Sequence, residues 1–315
     1  MAVLAAVDIG SNSIKMTVAW VNAAGPLEEF AWASETVRLG TGVEQTGRLA
    51  DDRVEAALST LVRFAEEARR HGAASIHAVA TEATRAAANG ELFLERVRRE
   101  AGIDVRVIDG DQEAALTFRG LSTTIDLRGN LIVADVGGGS TELIVAADGN
   151  MLGARSLPLG SGRLTERFVG ADPPVPSEIA ACRQAAADVI IAAAASLPLP
   201  VGPADRLVVV GGTGEYLARL AASEHALIRA DIEAVLAELS VTSAADLAAR
   251  LSITEARARV LPGGVAIIAA VADHLLPVEI EIARSGIRAG LLLAVRDHGL
   301  TPSDPTSSST PPERF

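Results

Sequence analysis

The apolar residues of the chain fall into short continuous runs and longer stretches with helical spacing. Two of the short runs, residues 3–7 and 131–133, lead to an aspartate that is followed by small residues and a second apolar run. Runs of this type predict buried strands, and each pair of runs predicts a β-hairpin. Strands that alternate with helices predict an α/β fold. The clearest predicted helices cover about residues 51–72, 92–100, 111–121, 177–197, 229–239, 244–251, 264–274 and 287–297.

The tips of the two predicted hairpins have similar sequences. DIGSNS occupies residues 8–13, and DVGGGST occupies residues 135–141. Glycine has no Cβ, so such turns can take positive φ and present backbone N–H groups to an anion. One glycine-rich hairpin taken alone is almost equally compatible with a turn that binds nothing. Two copies at this long spacing favour two duplicated domains, whose turns and aspartates face each other across a cleft.

Length and composition set the domain organisation. With 315 residues the chain is long enough for two domains that each have a core. We predict a first domain over residues 1–126 and a second over residues 127–298. Residues 299–315 are rich in serine, threonine and proline and have almost no apolar side chains, so we expect a disordered tail.

The charge of the chain restricts its partners. A net charge of −12 argues against a broad nucleic-acid surface. A polyanionic substrate is still compatible with this charge if positive charge is concentrated locally or supplied by metal ions. Lys15 is the only lysine of the chain and comes just after the first small-residue turn. This position favours a phosphate ligand over an ordinary outward-facing strand residue.

The sequence also predicts a cellular location. No uninterrupted apolar run is long enough to span a membrane, and Asp8 interrupts the N-terminal run too early for a signal peptide. The single cysteine, Cys182, excludes an internal disulfide and fits a reducing cytoplasm. We therefore expect a cytoplasmic protein with no membrane or nucleic-acid partner. The scattered histidines argue against a zinc site.

Further charged residues follow the ends of predicted strands. Arg85 is either a phosphate ligand or an ordinary helix-surface arginine. Glu113 lies in the first turn of a predicted helix, where glutamate often only caps the helix. Oxygen ligands beside a phosphate suit Mg²⁺ or Mn²⁺. The candidate metal ligands are Asp8, Asp135 and Glu142.

Together these motifs resemble the exopolyphosphatase and guanosine pentaphosphate phosphohydrolase family, in a short form, within the actin-like phosphotransferase superfamily. The first hairpin alone points only to the superfamily, whereas the combination is specific to the family. The segments that carry the resemblance are residues 8–15, 80–85, 108–114, 135–142, 159–168, 211–213 and 262–264.

The resemblance implies two ribonuclease-H-like domains, with mixed sheets flanked by helices and the active site in the cleft between them. It implies that Glu113 is the general base that activates water, that Asp135 and Glu142 position this water and a divalent metal, and that Arg85 contacts phosphate. We expect the phosphates to be held by the two turns and the lysine beyond the first of them, which are Gly10, Ser11, Asn12, Ser13, Lys15, Gly137, Gly138, Gly139, Ser140 and Thr141.

Three positions depart from the family pattern and leave the substrate open. Asp109, Arg259 and Ala289 stand where the family often has serine, aspartate and glutamate. The leading hypothesis is an exopolyphosphatase that uses direct attack by water. Because no basic run could hold a long chain, we expect a preference for short polyphosphates. The alternatives are hydrolysis of guanosine pentaphosphate (pppGpp) and an actin-like nucleotide-binding or assembly protein. A homodimer is a possible assembly.

Overall fold

The first half of the chain forms a mixed sheet around its N-terminal hairpin. The computed structural model describes residues 2–199, 204–222 and 226–298. The strands of the first sheet are β1 (Ala2–Ile9), β2 (Ser13–Val21), β3 (Glu28–Thr36), β4 (Ser75–Ala80) and β5 (Val105–Val107). They lie in the order β3-β2-β1-β4-β5. Strands β1 to β3 are antiparallel, whereas β4 and β5 run parallel to β1.

The second half repeats this arrangement. Its strands are β6 (Asn130–Val136), β7 (Thr141–Ala147), β8 (Asn150–Leu157), β9 (Arg206–Val210) and β10 (Glu279–Ala283). They lie in the order β10-β9-β6-β7-β8, with an antiparallel meander from β6 to β8 and parallel pairing of β9 and β10. The prediction of an α/β fold with two mixed sheets flanked by helices is confirmed.

Helices occupy the connections between the strands. They are α1 (Val43–Thr46), α2 (Asp51–Arg70), α3 (Glu82–Ala86), α4 (Gly90–Ala101), α5 (Gly110–Leu121), α6 (Ser161–Phe168), α7 (Pro176–Ala194), α8 (Gly212–Ala221), α9 (Arg229–Leu239), α10 (Ala244–Leu251), α11 (Glu255–Ala258), α12 (Leu261–Leu275) and α13 (Ile287–Asp297). Asp109 caps α5 by accepting a hydrogen bond of 2.8 Å from the Gln112 backbone N–H. The unusual aspartate therefore stabilises a helix N-terminus.

The outer faces of the sheets are covered by local helices. On the first sheet, Phe64 of α2 and Phe93 of α4 are fully buried in one apolar cluster with residues of β1 and β2. On the second sheet, α12 packs with α7 and α9 in another apolar cluster. Burial of these faces fixes the strand register, because a shift by one residue would turn every inward side chain outward.

The inner faces are covered by two helices that cross each other. Helix α5 follows the first sheet in sequence but buries Ala114 and Leu121 against the second sheet. Helix α13 follows the second sheet but packs with its apolar residues against β1 and β2. A Cβ added to Gly120 would lie 2.0 Å from the Gly286 carbonyl oxygen, and one added to Gly290 would lie 1.9 Å from that of Leu116. The two helices can therefore cross only because both contact points are glycine.

One described segment has the length and composition of a membrane span. It covers Glu255–Leu275, and 83% of its most apolar window is buried inside the protein. The expectation from the sequence concerned uninterrupted apolar runs, and Arg257, Arg259 and Asp273 interrupt this segment. Helix α12, which forms most of this segment, is a core helix of the second sheet. The predicted tail at residues 299–315 lies outside the described residues.

Candidate active site

A cavity of about 690 Å³ lies between the two sheets, next to the turns of the β1–β2 and β6–β7 hairpins. Cavities of this size are typical of small-molecule sites. Its wall includes both hairpin tips, the first turn of α5 and the first turn of α13. Predicted site residues that line it are Asp8, Gly10, Ser11, Asn12, Ser13, Lys15, Glu113, Asp135, Gly137, Gly138, Gly139, Ser140 and Glu142. Two predicted residues, Arg85 and Thr141, are not among its lining residues.

The two hairpin turns are closed in the same way. The Gly10 N–H donates to the Ser13 carbonyl at 3.2 Å, and the Gly137 N–H donates to the Ser140 carbonyl at 3.0 Å. None of the glycines in these turns has positive φ, so the expectation of positive φ is wrong. Close approach is the reason for glycine instead: a Cβ on Gly138 would lie 2.5 Å from the Asn12 Cβ. The turns therefore touch each other at the closed end of the cleft.

Ion pairs join the two halves behind the turns. Arg163 of α6 donates to Glu82 of α3 at 2.7 Å, and Arg38 lies 3.6 Å from Glu166. Glu82 also accepts a hydrogen bond of 3.1 Å from the Ser11 hydroxyl. Each of the two ion pairs has one partner from each half of the chain. The contact between the turns is thus supported by charge pairing on the side away from the cavity.

Facing strand pairs place the charged groups of the site. Asp8 of β1 lies opposite Lys15 of β2, and Asp135 of β6 lies opposite Glu142 of β7. The Thr117 hydroxyl donates to Asp135 Oδ2 at 2.8 Å. The hydroxyl of Ser156, which is the register partner of Glu142 on β8, donates to Glu142 Oε1 at 2.7 Å.

Two carboxylate oxygens in the site are buried without a hydrogen-bond partner among the described residues. They are Asp8 Oδ1 and Glu113 Oε2. A buried acceptor without a partner costs about 1–3 kcal/mol, so its retention points to a ligand or a reacting water. Glu113 is 6% exposed and lies in the first turn of α5. The structure brings it to the cleft, and the helix is capped by Asp109 instead.

Burial and mutual repulsion change the acidity of these groups. Burial raises the pKa of Glu113 well above its usual range, and the carboxylates of Glu142, Asp135 and Asp8 raise it further. Burial and the Asp135 carboxylate also raise the pKa of Glu142. The Arg85 guanidinium opposes both increases. A carboxyl group with a raised pKa is a stronger base once it is ionised, as a general base requires.

Arg85 and Thr141 are engaged elsewhere. The Arg85 guanidinium donates to the Ile108 carbonyl, and its charge acts on the cleft without lining it. The Thr141 hydroxyl is fully buried and donates to the Leu159 carbonyl at 2.7 Å. Its single donor is therefore used within the fold, which leaves Thr141 without a hydroxyl proton for phosphate.

Three arginines that the sequence prediction missed also line the cavity. Lys15 is joined there by Arg257 of α11, Arg284 after β10 and Arg288 of α13. The Arg288 Nε donates to the Thr17 hydroxyl at 2.8 Å, which directs this guanidinium along β2. Burial lowers the pKa of Lys15, and the Arg288 charge lowers it further. Cations thus line the cleft of this acidic protein, together with the carboxyl groups of the site. The position of Arg288 just after a strand end was the signal that could have revealed it.

The oxygen ligands of the site fit a magnesium-type ion only in part. Among the described residues, no group of three or more histidine, cysteine, aspartate or glutamate side chains is placed to hold a metal. Asp8, Asp135 and Glu142 are therefore not a preformed three-ligand site. Magnesium is usually held by one or two carboxylates, with water and substrate phosphate as the other ligands. The unpartnered Oδ1 of Asp8 is suited to that role.

The fold and the site together define a class of protein. Two actin-like domains enclose a cleft with small-residue turns, concentrated cations and an unpartnered buried glutamate, which is the layout of a phosphohydrolase. The model of the Ppx/GppA phosphatase family matches residues 18–298. The chain belongs to this family.

Individual relatives agree with this assignment. The chain is 30% identical over 305 residues to Exopolyphosphatase 1 of Mycobacterium tuberculosis, with 93% of this chain and 88% of the relative covered. It is 33% identical over 163 residues to a guanosine-5'-triphosphate,3'-diphosphate pyrophosphatase of Vibrio atlanticus, with 52% and 33% covered. The solved structure of the Aquifex aeolicus Ppx-GppA enzyme is 29% identical, with a TM-score of 0.74 over 93% of this chain and 99% of that one.

Proposed function

We propose that the protein is an exopolyphosphatase that removes the terminal phosphate of inorganic polyphosphate by direct attack of water. The observation that carries the proposal is the buried, unpartnered Glu113 Oε2 in a cleft that also holds Lys15 and the two turns. The M. tuberculosis relative named an exopolyphosphatase supports this substrate. Hydrolysis of pppGpp is the alternative, and it is supported by the V. atlanticus relative.

In the proposed reaction, the terminal phosphate lies against the two turns. Their small residues let an anion approach the backbone closely. Lys15, held opposite Asp8, supplies positive charge to the phosphate oxygens. Because the turns are in contact, the terminal phosphate marks the closed end of the cleft and the rest of the chain extends toward the mouth.

Glu113 then accepts a proton from the attacking water. The water oxygen forms a bond to phosphorus, the bridging P–O bond breaks, and its electron pair leaves with the shortened chain. Asp135 and Glu142 orient the water, and both are held in place by hydroxyl groups, those of Thr117 and Ser156. Mg²⁺ or Mn²⁺ bound through Asp8, Asp135 or Glu142 supplies further positive charge to the phosphate oxygens.

The preference for short chains is part of the proposal. The cations that line the cavity can hold a few phosphates; they are Lys15, Arg257, Arg284 and Arg288. The net charge of −12 repels a long polyanion beyond them. The enzyme therefore releases a long chain between cuts. The proposal also includes a cytoplasmic location, a possible homodimer and no membrane or nucleic-acid partner.

A phosphate-release assay tests the proposal. Tripolyphosphate, long-chain polyphosphate, pppGpp and ATP are compared at equal concentrations of chain ends, each with and without a chelator. We expect release from tripolyphosphate, less from the long chain, and no release in chelator until Mg²⁺ or Mn²⁺ is restored. Hydrolysis of ATP alone would replace the proposal with an actin-like nucleotide-binding protein. Full activity in excess chelator would remove the metal from it.

A further inference from the structure

A second, smaller cavity lies behind the two turns, on the side away from the cleft. Its volume is about 30 Å³, which holds water molecules at most. Two residues of each turn line both this cavity and the cleft, so the turns form a shared wall; they are Ser11, Asn12, Gly138 and Gly139. The charged residues of the small cavity are Arg38, Glu44, Glu82, Arg163 and Glu166. These charges therefore lie behind the backbone that is proposed to hold the terminal phosphate.

One of these carboxylates, that of Glu82, is in contact with both turns. Its Oε2 accepts a hydrogen bond of 3.1 Å from the Ser11 hydroxyl. The same oxygen lies so close to the second turn that a Cβ added to Gly139 would be 2.2 Å from it. Glu82 is not one of the residues that line the cleft. Its charge therefore acts on a bound phosphate through the turns and not by contact.

A carboxylate in this position weakens anion binding in two ways. The Glu82 side chain is 19% exposed, so solvent and salt screen its repulsion of a nearby phosphate only in part. The carboxylate also takes the single proton of the Ser11 hydroxyl, which cannot be donated to a phosphate at the same time. The turns thus attract an anion less strongly than their backbone N–H groups alone would.

Arg163 opposes this effect from the other half of the chain. Its guanidinium donates to Glu82 Oε1 at 2.7 Å, and its backbone N–H donates to the Gly138 carbonyl at 3.2 Å. Arg163 is therefore attached to the second turn, as Glu82 is attached to the first. Glu44 lies 3.6 Å from the same guanidinium and shares it. The positive charge of Arg163 thus offsets the Glu82 carboxylate only in part.

We propose that the Glu82–Arg163 pair sets the affinity of the turns for the terminal phosphate, and thereby how fast orthophosphate leaves after cleavage. Glu82 lowers this affinity and Arg163 raises it. The inference rests on the proposed function, because cleavage of the terminal bond leaves orthophosphate at the closed end of the cleft. Contacts that hold the terminal phosphate of the substrate also hold this product, so excess affinity slows its release without accelerating the chemical step.

Calorimetric titration with orthophosphate tests the inference without requiring turnover. Glu82→Gln keeps the size of the side chain and removes its charge, so Kd for orthophosphate should fall roughly 10-fold. Arg163→Gln leaves the Glu82 carboxylate unopposed, so Kd should increase by a similar factor. The double variant lacks both charges, and its Kd should return close to that of the unmodified protein.

The opposite signs separate this role from a purely structural one. Both single variants break the same ion pair between the halves of the chain. A pair that only held the turns together would therefore weaken phosphate binding in both variants, and at least as much in the double variant. Changes of Kd in the same direction, or no change in any variant, would overturn the inference.

Two further variants serve as controls. Arg163→Lys keeps the positive charge and should leave Kd close to that of the unmodified protein; a loss as large as in Arg163→Gln would contradict a charge effect. Glu166 lines the same cavity and pairs with Arg38, and among the described residues it has no hydrogen bond to either turn. Glu166→Gln should therefore change Kd much less than Glu82→Gln. An equal change would show a general effect of charge and contradict the assignment to Glu82.

Kinetics with tripolyphosphate connect affinity to release. Glu82→Gln should lower KM and kcat together, because the tighter product leaves more slowly, whereas Arg163→Gln should raise KM. An unchanged kcat in Glu82→Gln would contradict control of release. If the unmodified protein does not hydrolyse tripolyphosphate but the Kd values move in opposite directions, the proposed function is wrong and the pair still controls anion binding. If hydrolysis occurs and the Kd values move together, only the inference about the pair is wrong.

Discussion

The two central hairpins of this protein share one backbone hydrogen-bonding pattern but carry opposite charges opposite their aspartates. Each has an aspartate at the end of its first strand and a turn closed by a glycine-to-serine hydrogen bond. The residue opposite the aspartate differs: it is Lys15 in the β1–β2 hairpin and Glu142 in the β6–β7 hairpin. Even the third strands correspond, because Ser34 faces Lys15 as Ser156 faces Glu142.

This difference in charge gives the two hairpins different proposed roles, phosphate binding and proton transfer. The first hairpin lies with Arg288 in a positive environment suited to phosphate. The second lies with Glu113 in a negative environment suited to proton transfer. In the proposed mechanism, one hairpin thus contributes to binding and the other to catalysis, and each acts with a residue from the other half of the chain, Arg288 and Glu113. Substitutions at these residues test that division.

Glu113→Gln should lower kcat roughly 10²–10⁴-fold, because the glutamine side chain cannot accept the proton of the attacking water. Substrate binding should remain, since the first hairpin is intact. The variant should also melt at a higher temperature than the unmodified protein at neutral pH, because folding no longer requires a buried carboxyl group to take up a proton. Phosphate release and thermal melting check both points. Near-normal turnover would reduce Glu113 to a structural residue.

Removing one charge from each hairpin should change KM in one variant and kcat in the other. Lys15→Gln should raise KM roughly 10- to 100-fold, as expected when a hydrogen bond to a charged group is lost, and the effect should shrink as salt increases. Glu142→Gln should instead lower kcat with little change in KM. Steady-state kinetics of the two variants at two salt concentrations check this. Equal effects of both variants on KM and kcat would contradict a division of roles.

The raised pKa of Glu113 predicts how activity and stability depend on pH. The base must be ionised, so kcat should rise as pH increases through the neutral and alkaline range. Stability should change in the opposite direction. Because the folded pKa lies above the unfolded value, the folded state binds more protons, and stability falls as pH increases above about 4.3 toward the folded pKa. Melting curves across this range should show a shallower decline in Glu113→Gln.

The smallest effect on activity is expected for substitution of the serine on β8 that faces Glu142. Ser156→Ala removes the 2.7 Å hydrogen bond to Glu142, so the pKa of that carboxyl group should rise further. The alkaline limb of the activity profile should then move to higher pH, with a loss of activity of only a few-fold near neutrality. Ser34→Ala is the matched control in the other hairpin and should leave the profile in place. A shift of equal size in both variants would contradict the prediction.

Local sequence patterns were sufficient to predict the sheets and the central charged residues. Period-two and branched apolar runs specify strands, and the repeated tip motif specified the relation between the two hairpins. Asp8, Asp135 and Glu142 were found because each lies next to a turn. The pattern did not reveal α8, because Gly212 and Gly214 at its start are typical of a turn. Contact with Val209 explains the second glycine, since a Cβ there would lie 2.8 Å from its side chain.

The missed residues reach the cleft from distant parts of the chain. The hydrogen bond between Arg288 and Thr17 joins positions 271 residues apart. Arg257 comes from the short helix α11, whose four residues carry little periodic signal. Arg85 and Thr141 show the opposite case: both were predicted from proximity to a motif, but they do not line the cavity, and their hydrogen bonds are made to backbone carbonyls. Tertiary packing determines both outcomes.

The crossing of α5 and α13 has a consequence for synthesis on the ribosome. Domains usually fold in order as the chain emerges, with the N-terminal one first. Here the inner face of the first sheet stays open until Leu291 and Leu292, near the end of the described chain, become available to cover it. The nascent N-terminal half must therefore wait with an apolar sheet face exposed. Its completion therefore has to wait until translation has passed α13.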